Sequence, residues 1–189
     1  INGETSSMFR DGGSDEVKGE LAGLPDFMTE IPEVRDQIIK WQTDWLDKAK
    51  TKNGNTIDCF RVDTVKHVED TTWKAFKNRL TEKAPNFKLI GEYFGASVDN
   101  AFNTQLDRGQ MDSLLDFEFK NKARAFTQGK IDEVEEYLEY RNKKLTNTAT
   151  LGQFLSSHDE DGFLYSVGGD INKLKVASTL QITAKGQPI

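Results

Sequence analysis

One cysteine, two histidines, four prolines and no apolar run near the ~18 residues of a membrane-spanning helix leave several classes of protein out of reach. A lone thiol, Cys59, allows neither an internal disulfide framework nor a thiolate metal cluster. Positive charge is not in surplus either. The chain carries 25 Lys+Arg against 31 Asp+Glu, a net charge of −6, so it lacks the basic face that displaces counterions from nucleic acid. Neither nucleic acid nor a membrane is therefore expected as a partner. No internal repeat is visible, which excludes a solenoid. An initiator Met and a secretory leader are missing as well: the chain opens at Ile1 in a loop-like segment and stops at Gln187-Pro188-Ile189, where a strand begins. It reads as a piece cut from a longer polypeptide. What is present, 189 residues with 30% charged side chains, suffices for one polar-surfaced domain that buries a core without staples.

Residues 1–32 show neither a period of 2 nor of 3.6, and Gly12, Gly13, Gly19 and Gly23 break them into short polar pieces. From Glu33 the spacing of Val34, Ile38, Trp41, Trp45 and Ala49 predicts one helix, with Pro32 in its first turn. Trp41, Trp45 and, on a second helix over 70–83, Trp73 are expected in the core. Strands are predicted over 57–63, 88–94, 113–119 and 150–157. A short helix or loop is expected over 97–108. Two further helices should cover 131–145, with Val134, Leu138 and Leu145 inward, and 171–184, closed by Gly186. Cys59 is expected to be a small buried apolar residue. Alternating helices and strands with medium connections describe an α/β fold with a parallel sheet, either doubly wound or part of a (β/α)8 barrel.

In such folds the chemistry gathers at the carboxyl ends of the strands. Here the first strand ends Arg61-Val62-Asp63 and runs into Lys66-His67, the second ends Gly91-Glu92-Tyr93, and the fourth ends Ser157-His158-Asp159. Both histidines of the chain thus accompany three carboxylates at three strand ends. Alternation places Arg61 and Asp63 on one face, close enough to pair. A guanidinium there holds the carboxylate ionised and oriented, which suits a nucleophile. Glu92, at the rim of an apolar strand beside Tyr93 and Phe94, has no cation in its own motif and is placed to hold a proton. One carboxylate that attacks and one carboxyl that gives and takes a proton are the pair used in glycoside hydrolysis with retention, about 5–5.5 Å apart.

These motifs carry a family resemblance. Cys59-Phe60-Arg61-Val62-Asp63-Thr64-Val65-Lys66-His67-Val68, Gly91-Glu92-Tyr93-Phe94-Gly95 and Phe154-Leu155-Ser156-Ser157-His158-Asp159 resemble three strand-end motifs of the α-amylase family, in the family's order. Leu24-Pro25-Asp26-Phe27 is similar to the family's short motif near the end of domain B, and Gly186-Gln187-Pro188-Ile189 to the entry into its last barrel strand. The resemblance implies a partial (β/α)8 TIM-type barrel. Residues 1–32 would be the end of domain B with an irregular lead-in, and 33–189 the second half of the barrel, truncated at both ends. It implies that Asp63 is the nucleophile, Glu92 the acid/base and Asp159 the carboxylate that stabilises the transition state. Arg61 would orient Asp63, His158 would bond the sugar at the cleavage subsite, and Lys66 and His67 would contact the sugar on the leaving-group side. The Lys66-His67 pair resembles α-amylase-like members more than pullulanase-like ones.

Asp26 and the main-chain carbonyl of His67 match calcium ligands of calcium-dependent members; oxygen donors suit that ion. No organic cofactor is implied. Two departures stand out. Ser157 occupies a position where the family more often has Asn, and the family's earliest strand-end motif has no counterpart in the chain.

The expected activity is hydrolysis of α-1,4 links in starch and malto-oligosaccharides, by a protein exported from the cell. Transglycosylation, α-1,6 cleavage and a non-catalytic sugar-binding relative are the alternatives. The isolated piece is expected to be inactive, and its unpaired sheet edges to favour edge-to-edge self-association.

Overall fold

A computed structural model describes residues Met8–Ile189, and the chain divides into two compact units, Ile1–Leu89 and Ile90–Ile189. The first unit contains, within the stretch that reads as irregular, a two-residue antiparallel ladder. In it β1 (Phe9–Arg10) pairs with β2 (Asp26–Phe27), with Phe9 opposite Phe27 and Arg10 opposite Asp26. Strands this short carry no legible alternation; the pairing is fixed by Phe9 packing on Phe27, ring centroids 4.4 Å apart.

The single helix expected from Glu33 is two, α1 (Pro32–Thr43) and α2 (Trp45–Lys48), meeting at Asp44. Their buried residues are Val34, Ile39, Thr43 and Leu46, a stripe rotated from the predicted one. Trp45 is exposed rather than in the core, with the Lys48 ammonium over its ring; Trp41 is half-buried, and only Trp73 of the three is fully packed away. Two apolar stripes compete on this helix, and the one with smaller side chains faces α3 (Asp70–Lys83), where Thr72, Trp73, Phe76 and Leu80 are buried. Strand β3 (Cys59–Val62) lies beside them, with Phe60 against Phe76 and Phe87. Cys59 is half-buried, not enclosed.

Strands β3, β4 (Lys88–Gly91), β5 (Ser113–Asp116), β6 (Gly152–Gln153) and β7 (Gln187–Pro188) follow one another in sheet order as they do in sequence. In the second unit the β4–β5, β5–β6 and β6–β7 pairings are all parallel. Helices α4 (Phe102–Asp107), α5 (Phe117–Thr127), α6 (Ile131–Lys144), α7 (Phe163–Ser166) and α8 (Ile171–Thr183) connect them. This is an α/β fold with a parallel sheet, as the element order predicts. None of the described helices is long and apolar enough to cross a membrane.

Helix α5 is the main departure. The alternation of Leu115, Phe117 and Phe119 predicts a strand to 119, but the strand stops at Asp116, whose carboxylate accepts the Phe119 N–H at 3.0 Å and so caps a helix. Phe119 and Ala123 then join Leu155, Phe163 and Ala177 in the core. The fourth predicted strand is likewise shorter: only Gly152 and Gln153 pair, and Phe154–Ser157 run on outside the ladder.

Asp116 has a second duty. Arg141 of α6, fully buried, donates to it at 2.7 Å through Nη1, and to Gln153 Oε1 at 3.1 Å through Nη2. Tyr137 donates its hydroxyl to the same carboxylate at 3.2 Å. Burial holds the Asp116 carboxyl above the usual range in spite of Arg141, and pushes the Tyr137 phenol up as well. Next to this cluster Gly186 has φ +152°, and a side chain there would run into the Gln153 carboxamide and force it to shift.

Removing one member of a buried pair strands the other charge. Arg141→Met is expected to lower the unfolding free energy by about 3–5 kcal/mol in denaturant titrations. A raised carboxyl binds its proton more tightly in the native than in the unfolded chain. The variant's deficit should therefore shrink as pH falls toward the ordinary carboxylate range from above, and stay constant below it.

Candidate active site

In the first unit, β3 delivers Arg61 and Asp63 to the same face, and Arg61 Nη1 donates to Asp63 Oδ1 at 2.6 Å. Both side chains are exposed, whereas Val62 between them is buried. The pairing is the one that strand alternation predicts. Immediately after Asp63 the chain turns through Thr64 at φ +51°. A β-branched residue in this left-handed conformation is strained by about 1–3 kcal/mol, and such strain persists only where the surroundings impose it. They do so here: Val65 is sealed in the core and its carbonyl accepts the Trp73 indole N–H at 2.8 Å. The sharp turn follows β3 and leads into a single 3-10 turn, Val65–His67, that carries Lys66 and His67.

Lys66 and His67 meet a residue that the motif did not single out. Lys66 Nζ is 3.3 Å from the Glu16 carboxylate, and His67 Nδ1 lies 2.9 Å from the Glu16 carbonyl oxygen. Glu16 sits in a turn organised by Asp15, whose carboxylate accepts the N–H groups of Val17 and Lys18 at 2.9 and 2.8 Å and is lowered below its ordinary range by them. Only proximity in the fold reveals Glu16; no local pattern marks it.

Asp26, the expected calcium ligand, is engaged otherwise. Arg10 Nη1 donates to it at 3.0 Å from the opposed strand, and Arg10 Nη2 pairs with Glu30. Burial raises the Asp26 carboxyl even so. Calcium takes six to eight oxygens, mostly from anions and carbonyls. One of the two Asp26 oxygens is thus already bonded to a guanidinium. Among the described residues, no three His, Cys, Asp or Glu side chains converge as a metal site.

In the second unit, Glu92 follows β4 directly and is buried, with Tyr93 half-buried and Phe94 exposed after it. Phe94 packs edge-on to Phe117, which packs edge-on to Phe154, so an aromatic row links the carboxyl ends of β4, β5 and β6. His158 and Asp159 lie in the loop after β6, where His158 Nε2 is 3.2 Å from Asp159 Oδ2 and both side chains are largely in solvent. Ser157, the departure from the family pattern, acts locally, its hydroxyl accepting the Asp159 N–H at 3.2 Å. Asp116 is a further carboxylate at a strand end, but its burial and its bonds to Arg141, Tyr137 and Phe119 make it structural.

The family model "Alpha amylase, catalytic domain" matches residues 16–189. The chain belongs to the α-amylase family. Among its relatives, a cyclomaltodextrinase from a Bacillus species is 25% identical over 170 residues, covering 87% of this chain and 28% of its own length. An α-amylase from Streptomyces lividans is 36% identical over 121 residues, 60% of this chain and 12% of that protein. The crystal structure of the α-amylase from Geobacillus thermoleovorans, complexed with acarbose, superposes with a TM-score of 0.82 at 23% identity, over 100% of this chain and 44% of that one. The chain therefore spans less than half the length of these relatives. The fold of the α-amylase family's catalytic domain is a (β/α)8 barrel, of which the parallel strands β4–β7 and their helices form a part.

Proposed function

We propose that the protein cleaves α-1,4-glucosidic links in starch and malto-oligosaccharides with retention of configuration. Asp63 is the nucleophile, Glu92 the acid/base, and Asp159 the carboxylate that stabilises the positive charge of the transition state. Arg61 orients Asp63, His158 bonds the sugar being cleaved, and Lys66 and His67 contact the sugar that leaves. The observation that carries this reading is the Arg61–Asp63 pair at 2.6 Å at a strand's carboxyl end, within a chain of the α-amylase family. The guanidinium keeps one carboxylate oxygen engaged and leaves the other as the attacking atom.

Chemistry proceeds in two displacements. Glu92 protonates the glycosidic oxygen as Asp63 Oδ attacks the anomeric carbon, and the reducing-end part of the glucan departs. Glu92, now ionised, takes a proton from water, which attacks the same carbon and releases Asp63. A sugar hydroxyl in place of that water gives transfer instead of hydrolysis by the same three groups.

The test is the configuration of the first product. Maltoheptaose hydrolysed by the intact protein should give the α-anomer first, seen by proton NMR before mutarotation. The β-anomer would refute retention.

A further inference from the structure

We propose that Lys120, a buried lysine on α5, is a positioning residue that clamps Glu160 and thereby fixes the loop carrying His158 and Asp159. The inference rests on the reading of those two residues as part of the sugar-cleaving site.

Lysine is almost never buried unless it is paired. Lys120 is 8% exposed, and its ammonium meets the carboxylate of Glu160, whose side chain is itself 24% exposed. Glu160 is the residue next to Asp159. An ammonium taken out of water needs an anion in good geometry, and once that anion is in place neither partner leaves cheaply. The pair therefore ties the middle of a loop to the body of the protein.

The anchor on the helix side is firm. Phe119 and Ala123, flanking Lys120 on α5, are both fully buried in the cluster that includes Leu155 and Phe163. Leu155 and Phe163 are also the two feet of the loop. Its neck is closed by the Phe163 N–H, which donates to Ser156 Oγ at 2.8 Å. Between those feet, His158 and Asp159 have side chains 76% and 59% exposed, and the bonds described for them are local, to one another and to Ser157. Local bonds hold the two residues relative to each other but not relative to the sheet. The Lys120–Glu160 clamp supplies that second constraint. A displacement of about 1 Å in a positioning contact costs roughly a hundredfold in rate, so a clamp one residue from a catalytic carboxylate registers in turnover.

Two variants of the intact protein test this. Lys120→Met keeps the stem and removes the charge, and Glu160→Gln alters the loop side only. Hydrogen exchange read by mass spectrometry should show the amides of 156–162 exchanging at least tenfold faster in both, with 119–126 unchanged. On maltoheptaose, kcat should fall about tenfold to a hundredfold with KM little altered. Lys120→Arg should recover most of that loss. The double variant should be no slower than Lys120→Met alone, since there is one clamp to lose. Unchanged exchange over 156–162 in Lys120→Met overturns the clamp, as does a lowered melting temperature with unaltered kcat. Absence of glucan turnover in the unsubstituted protein would instead refute the proposed function, and the exchange measurement would still decide the clamp.

Discussion

Asp63→Asn is expected to lower kcat on malto-oligosaccharides by a factor on the order of 10⁴, as the loss of a nucleophile acting within a catalytic set does. The melting temperature should stay within a few degrees. That separation of effects follows from where Asp63 lies. Its side chain is two-thirds exposed and its described bond is to Arg61, itself exposed, so the pair contributes little to folding. Asparagine keeps the shape and accepts from Arg61 through its amide oxygen, but it cannot form the covalent ester to the sugar. A residual kcat within tenfold of the unsubstituted protein would remove Asp63 from the nucleophile's role.

Glu92→Gln should have the next largest effect, and a more selective one. General acid–base assistance contributes about 10²–10⁴-fold, and it matters most where the leaving group is a poor one. Hydrolysis of maltoheptaose, whose leaving oxygen needs a proton, should drop by roughly 10³-fold. Cleavage of α-maltosyl fluoride, whose fluoride leaves unprotonated, should keep a fast first step and stall at the second. Glutamine fills the buried position of Glu92 without donating an acidic proton. Equal losses in the first step on the two substrates would show that Glu92 does not act on the leaving oxygen.

Much of this was legible in the sequence because the decisive residues sit in short, punctuated strands. Phe60 and Val62 alternate with Arg61 and Asp63, and turn residues mark both ends, so the pairing of Arg61 with Asp63 follows from period alone. Where two readings share one pattern, the sequence misleads. Leu115, Phe117 and Phe119 alternate as a strand would, yet Asp116 caps a helix in their midst, and a capping aspartate before Phe-Glu-Phe was the signal for it. Ile38 and Ile39 offer two helix faces of similar apolarity, and only the packing partner selects between them. Other features depend on distance along the chain. Arg141 is buried against a partner, Asp116, that lies 25 residues away and that no local pattern reveals. The pairing of Asp26 with Arg10, 16 residues upstream, is likewise invisible to a local motif. Long-range partners decide whether a charge is surface, structural or reactive.

The most direct test is to catch the first displacement. When Glu92→Gln is incubated with α-maltosyl fluoride, quenched and digested, the peptide containing Asp63 should gain the mass of one maltosyl unit, with fragmentation placing it on that carboxylate. The same mass on Asp159 or on any other residue, or steady release of fluoride with no labelled peptide, would contradict the account.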